Sequence, residues 1–250
     1  MSADQPSGSP QSLSGFLNNF GCFQRSTAEF SEAYIANAII EILYAGGSHL
    51  GSGLLLTQDG YFLTSAHCVY FSSGILKTRL ADGRIFSGFQ ICALDPLRDI
   101  ALCKLFLPEG SAYHCFKFYF ACPETGGDNP RSIIYLGRRD GGLTRKNGVL
   151  WHRLVDLHYG LQIPEYFVRE NKISCRYRTQ PCQHYDHYPL TLDAEAGDSG
   201  GIIVTTKGAL VGILNSYNLC SDKKYATCAR LSDAIPLIWE YVSAYIQKCS

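Results

Sequence analysis

The run Gly197-Asp198-Ser199-Gly200-Gly201 sets a serine among glycines, where its Oγ is unshielded and neighbouring backbone amides can converge on one point. Glycine at 197 keeps a Cβ out of the path of an approaching carbonyl. The amides of Gly197 and Ser199, with Asp198 between them, can then form an oxyanion hole. A serine hydroxyl alone is a weak nucleophile, so this chemistry needs a base and an acid that orients the base. Thr64-Ser65-Ala66-His67-Cys68 follows the apolar Leu54-Leu55-Leu56 and the turn residues Gln58-Asp59-Gly60, which puts His67 just beyond a hairpin. Asp99 opens the segment Asp99-Ile100-Ala101-Leu102-Cys103-Lys104-Leu105, whose alternation predicts a strand entered by the acid. The candidates therefore occur in the chain order His, Asp, Ser.

This set resembles the trypsin-like serine proteases of the chymotrypsin fold. The resemblance is carried by Gly51-Ser52-Gly53, Thr64 to Cys68, Asp99 to Leu105, Gly197 to Gly201, and Val211-Gly212-Ile213. Within that family the chain is most similar to the disulfide-poor HtrA-like group, with no PDZ-like segment. The resemblance implies an all-β fold of two antiparallel six-stranded β-barrels with a C-terminal α-helix. It also implies a serine endopeptidase that cuts protein or peptide substrates through an acyl-enzyme and needs no cofactor. His67 would take the proton of Ser199 Oγ and return it to the leaving amine, while Asp99 fixes the imidazole tautomer. The oxyanion hole would fall at Gly197, Asp198 and Ser199.

The resemblance further places the substrate pocket at Asp193, six residues before the nucleophile, and at Asn215, Ser216 and Tyr217. A buried carboxylate at 193 would favour lysine or arginine before the cut, and Tyr217 would narrow the entrance. Secreted relatives pair the aspartate before the serine with a freed Ile or Val N-terminus. No matching activation sequence precedes the first strand here, so Asp198 needs another partner or a regulatory protein. The competing reading is a catalytically weak or inactive protease-fold binding module that uses residues 155–190 as a partner interface. An α/β-hydrolase esterase is disfavoured because its triad runs in a different order.

A chain of 250 residues, 46% of them hydrophobic, is long enough to enclose a substantial core. Short runs rich in Tyr, Phe, Val and Thr, broken by glycine pairs, suit antiparallel strands. Residues 1–30 read as a flexible N-terminal tail and 31–250 as the domain. Within it, the first barrel falls at about 31–107, the connection between barrels at about 108–131, and the second barrel with its helix at about 132–250. A long insert occupies about 155–190. Ile235, Ile238, Trp239, Val242, Tyr245 and Ile246 recur at helical spacing after the cap residues Ser232 and Asp233.

Formal charge is zero, from 22 basic and 22 acidic residues, so no global field favours nucleic acid. The basic cluster Arg138, Arg139, Arg145 and Lys146 reads as a solvated loop. No apolar run reaches the ~18 residues of a membrane span. The first residues lack the basic start and apolar centre of a secretory signal.

Eleven cysteines is an odd number, and the spacings do not match the bridges of secreted relatives. Gly47-Ser48-His49-Leu50 offers no partner for Cys68, and Glu195 stands where the bridge near the nucleophile would need a cysteine. Reduced thiols in the cytoplasm or another reducing compartment are therefore expected, the alternative being export into a host cell without a signal peptide. Cys175, Cys182, His184 and His187 offer the thiolate and imidazole ligands that structural zinc accepts, or else belong to a binding loop. His49, His114, His152 and His158 show no comparable grouping and read as surface or packing residues. Oligomeric state has no readable signal.

Overall fold

The computed structural model describes residues 32–70, 75–95, 98–106, 108, 130–151, 155–157, 174–175, 185–220, 223–231, 237–238 and 241. A short helix α1 (Glu32–Ala36) leads into β1 (Ile39–Leu43), followed by β2 (His49–Leu55), β3 (Tyr61–Ser65), helix α2 (Ala66–Tyr70), β4 (Lys77–Arg79), β5 (Ile85–Ser87), β6 (Phe89–Asp95) and β7 (Ile100–Leu105). These strands form one sheet in the order β6-β7-β3-β2-β1-β4-β5, and β11 (Ser174–Cys175) adds a parallel edge beside β6. The remaining strands are β8 (Arg131–Arg139), β9 (Gly142–Leu150), β10 (Val155–Leu157), β12 (Tyr185–Thr191), β13 (Ile202–Thr205), β14 (Leu210–Cys220) and β15 (Lys223–Arg230). Their order is β10-β12-β15-β14-β13-β8-β9, and β12 also pairs with β9, which closes a six-stranded barrel.

The two sheets thus form a chymotrypsin-like double barrel. The second barrel is closed, and the first is a curled sheet rather than the closed six-stranded barrel expected. The segment expected as an insert supplies β10, β11 and β12, and the last of these is a barrel strand. Leu231, Leu237, Ile238 and Tyr241 are helical, while Trp239, Val242, Tyr245 and Ile246 lie outside the described residues.

Side chains on a strand alternate between faces, and the core divides accordingly. In β8, Ile133 and Tyr135 enter the interior of the second barrel while Ile134 and Leu136 enter a central cluster. In β1, Ile40 and Ile42 fill the first barrel and Ile39 joins the central cluster. That cluster unites Leu54, Leu63 and Leu102 with Ile202, Val204 and Ile213, and is the contact between the two sheets. Each of these side chains contributes about 1.5–3 kcal/mol by leaving water. Burial on both faces explains why β1 reads as an almost unbroken apolar run, interrupted only by Glu41.

The basic cluster is not a solvated loop: it lies on the β8–β9 hairpin. Arg138 is buried and donates to the carbonyls of Ile39, Ala36 and Gly141. The bonds to Ala36 and Ile39 satisfy carbonyls where α1 meets β1, so the guanidinium is a structural clasp between the sheets.

Candidate active site

His67 and Asp99 are brought together by one antiparallel pairing. β3 and β7 run side by side with Ser65 opposite Ile100, so the chain leaves β3 into α2 at the point where it enters β7. His67 is the second residue of α2 and Asp99 immediately precedes β7. The His67 backbone N–H donates to Asp99 Oδ1 at 2.8 Å, and His67 Nδ1 donates to Oδ2 at 2.6 Å. A carboxylate only accepts, so this second bond fixes the proton on Nδ1 and leaves Nε2 as the basic nitrogen. Asp99 is buried and held at φ +55°, a left-handed conformation uncommon for residues with a side chain. Its carbonyl accepts from Ala66 N at 3.1 Å, which ties the bend to the start of α2.

Burial pulls the His67 imidazolium down. The Asp99 hydrogen bond, reinforced by Cys68 Sγ at 3.6 Å from Nε2, pushes it up by more, and the net shift is above the ordinary imidazole range.

Ser199 belongs to the second barrel, in the loop between β12 and β13. Its carbonyl accepts from Ser52 N at 2.9 Å, which anchors the loop to β2. The Leu214 carbonyl accepts from Gly200 N at 2.7 Å and from Ser65 Oγ at 2.9 Å. One carbonyl of β14 thereby fixes both the residue after Ser199 and the residue two before His67. Asn215, expected at the substrate pocket, is buried, accepts from Thr227 Oγ1 and donates to the Arg98 carbonyl beside Asp99 at 3.3 Å.

The amides of the loop divide in two. Those of Asp198, Gly200 and Gly201 donate to the carbonyls of Glu195, Leu214 and Asp198. Among the described residues, those of Gly197 and Ser199 donate to no protein acceptor. Gly197 and Gly200 have φ of +93° and +79°, and a Cβ at 200 would collide with the Ser52 carbonyl. Among the described residues no hydrogen bond joins Ser199 Oγ to His67 Nε2, a contact that in unliganded sites often tightens only with substrate.

The partner that Asp198 requires is Lys146. The Asp198 side chain is 3% exposed, and its Oδ2 accepts from Lys146 Nζ at 2.7 Å and from Glu195 N at 2.8 Å. Tyr135 donates to the Asp198 carbonyl at 3.0 Å, and Arg139 Nη2 lies 3.5 Å from Oδ1. Tyr135 and Lys146 are cross-strand neighbours in the β8–β9 pairing, both facing the loop. Sequence reasoning missed Lys146, although the period-two pattern of β9 carries the signal. Thr144, Lys146 and Gly148 are partly buried while Leu143, Arg145 and Asn147 are exposed, so Lys146 is a cation on the inward face.

Asp193 is exposed, not the buried carboxylate expected at a pocket base, and its carbonyl accepts from Lys146 Nζ at 2.8 Å. Ser216 and Tyr217 lie in β14 opposite Thr227 and Ala226. Cys182 and His184 lie outside the described residues, as do the side chains of Cys175 and His187, so the candidate zinc ligands are not brought together by any described geometry. Four described cysteines, Cys68, Cys92, Cys103 and Cys228, are buried and form no disulfide. Burial pushes the Cys92 thiol up to about 11 against the pull of Lys104, and raises those of Cys103 and Cys228 as well, so these three pack as neutral core groups. Gly51 faces Cys68: a Cβ there would lie 2.9 Å from Sγ, so the residue across from that thiol is a glycine. No helix among the described residues is long and apolar enough to cross a membrane.

A double barrel with histidine and aspartate on one sheet and a serine loop on the other defines the trypsin-like class. The trypsin-like peptidase domain family matches residues 51–213, and the chain belongs to it. A probable periplasmic serine endoprotease DegP-like from Marinomonas sp. is 28% identical over 167 residues, 66% of this chain and 29% of that protein. A putative serine protease HhoA from Synechocystis sp. is 42% identical over 62 residues, 25% of this chain and 15% of its own length. The chain thus spans under a third of the length of these relatives. Among solved structures, the active form of the Rv3671c protease from M. tuberculosis superimposes with a TM-score of 0.58 at 19% identity, covering 82% of this chain and 81% of that one. The MamO protease domain from Magnetospirillum magneticum gives 0.58 at 18% identity, covering 82% and 97%. At these identities the structural likeness bears on the fold.

Proposed function

We propose that this trypsin-like serine protease is an endopeptidase in which His67, Asp99 and Ser199 form the triad and the Gly197 and Ser199 amides stabilise the oxyanion. The observation that carries this reading is the pair of unspent amides, those of Gly197 and Ser199, set among the bonded amides of Asp198, Gly200 and Gly201. In the first step His67 Nε2 takes the proton of Ser199 Oγ as that oxygen bonds to the scissile carbonyl carbon, and the carbonyl oxygen, now negative, accepts from the two amides. The imidazolium then protonates the leaving amine as the C–N bond breaks, and water hydrolyses the acyl-enzyme by the same route. Asp99 holds the ring through both of its oxygens.

The Lys146–Asp198 pair supports a site that needs no cleavage to order its serine loop. Asp193 supports only a weak preference for lysine or arginine before the cut, because an exposed carboxylate is screened by water. The buried, unbridged thiols support a reducing compartment, where the chain would meet its protein substrates.

Reaction of the purified chain with a fluorophosphonate probe, compared with Ser199→Ala and mapped by mass spectrometry, tests the reading. Labelling confined to Ser199 is the expected result. Well-folded protein that stays unlabelled would overturn it in favour of a binding module.

A further inference from the structure

His49, the first residue of β2, sits between two acceptors. Its Nδ1 lies 2.9 Å from Glu41 Oε1 and its Nε2 lies 2.8 Å from the Gly197 carbonyl oxygen. The side chain is 11% exposed and that of Glu41 is 0% exposed. Glu41 Oε1 also accepts from Asp140 N at 2.7 Å, and Oε2 accepts from Arg79 Nη1 at 2.7 Å and Gly141 N at 3.0 Å. With three other donors converging on it, Glu41 is an ionised carboxylate and has no proton to offer His49. The Gly197 carbonyl likewise only accepts. A neutral imidazole carries one N–H, so either tautomer would set a ring lone pair against an acceptor oxygen. Only the imidazolium satisfies both contacts.

The carbonyl so held is that of Gly197. The peptide carrying it, from Gly197 to Asp198, is joined through one Cα on each side to the peptides that bear the two unspent amides, so rotating it would turn them apart. His49 also packs on the Gly197 backbone itself, since a Cβ at 197 would lie 2.7 Å from His49 Cδ2 and 2.9 Å from Arg139 Nη2. We infer that His49 is a positioning residue: as an imidazolium it ties the Gly197 carbonyl to Glu41 and holds the oxyanion amides in their common orientation. The inference rests on the proposed oxyanion role of those amides. The charged groups around the imidazolium are Glu41 on β1, Arg79 on β4 behind it, Arg139 on β8, and Glu195 and Asp198 in the loop, with Lys146 on Asp198. Glu41 favours the charged ring and the two arginines oppose it, so the brace is held by direct hydrogen bonds more than by a net negative field.

Nitrogen-15 spectra of the imidazoles in Ser199→Ala, with His49 assigned by comparison with His49→Gln, give the direct test. Both His49 nitrogens should be protonated at neutral pH, and a single unprotonated nitrogen there overturns the inference. In His49→Gln, which keeps a donor that does not titrate in this range, kcat should fall by about 10- to 100-fold with KM changed little. Unchanged kcat in His49→Gln also overturns it. If His49→Gln does not fold, His49 is assigned in Ser199→Ala by correlating its ring with its own backbone amide, and those spectra decide alone. Failure of Ser199 to label with the fluorophosphonate would instead sink the proposed function, while leaving the protonation of His49 readable.

Discussion

The His67–Asp99 pair and the Ser199 loop reach their geometries by opposite routes. The first is two side chains locked directly together, assembled by one strand pairing in which Ser65 lies opposite Ile100. The second is a set of backbone amides, which no side chain of the loop can aim by itself. It is held from outside by Lys146 on Asp198, by His49 on the Gly197 carbonyl, and by Ser52 and Leu214 on Ser199 and Gly200. Local pairing is enough to orient a side chain. Orienting backbone in a glycine-rich loop requires buried charges from several distant strands.

Changes at either end of this contrast should differ in kind. Ser199→Ala removes the proposed nucleophile and should cost about six orders of magnitude in kcat with folding unchanged, read by peptide turnover beside thermal melting. Asp99→Asn should cost about four orders, since an amide can hold the wrong tautomer of His67.

Asp99 also fixes a pH dependence. Because His67 is raised in the folded state from 6.5 to about 11, the stabilisation from its charged form is complete below about pH 6.5. It is lost as pH rises from there toward 11. The neutral base needed for catalysis gains over the same range, so the acid limb of kcat/KM should lie above 6.5. NMR titration of His67 in Ser199→Ala should show the raised value, and adding Asp99→Asn should lower it. An unshifted His67 in the parent would remove the pair's claimed electrostatic coupling.

Lys146→Met should act on the other side of the contrast, leaving the Asp198 carboxylate buried without its ammonium. A loss of about 3–5 kcal/mol in urea unfolding is expected, together with lower turnover that Lys146→Arg partly restores. Stability and activity both unchanged would mean that the loop is ordered without the pair. The smallest effect should come from Tyr135→Phe, which removes one hydrogen bond to the Asp198 carbonyl and should cost about 1 kcal/mol.

Much of the side-chain half was legible in the sequence. Asp99 ahead of an alternating strand, and His67 after a hairpin, are local patterns that survive folding because the strands carrying them pair with each other. The loop's supports were not legible. Glu41 looked like an interruption in an apolar run, His49 like an isolated histidine, and Arg138 and Lys146 like parts of a solvated patch. Each is a polar side chain with a partner far along the chain, Glu41 with Arg79, Arg138 with Ile39, Lys146 with Asp198 and His49 with Gly197. Asp193 failed in the opposite direction, because counting back from Ser199 gives a position in the chain but not its exposure.

The sequence by itself determined the strands, their alternation, the glycines that allow φ above zero around Ser199, and the order of the candidate groups, since these depend on residue type and near neighbours. Only the tertiary structure decided which charges are buried, which amides stay unspent, and that one sheet curls open while the other closes. Those outcomes depend on desolvation and on hydrogen-bond partners that meet only when the two sheets pack.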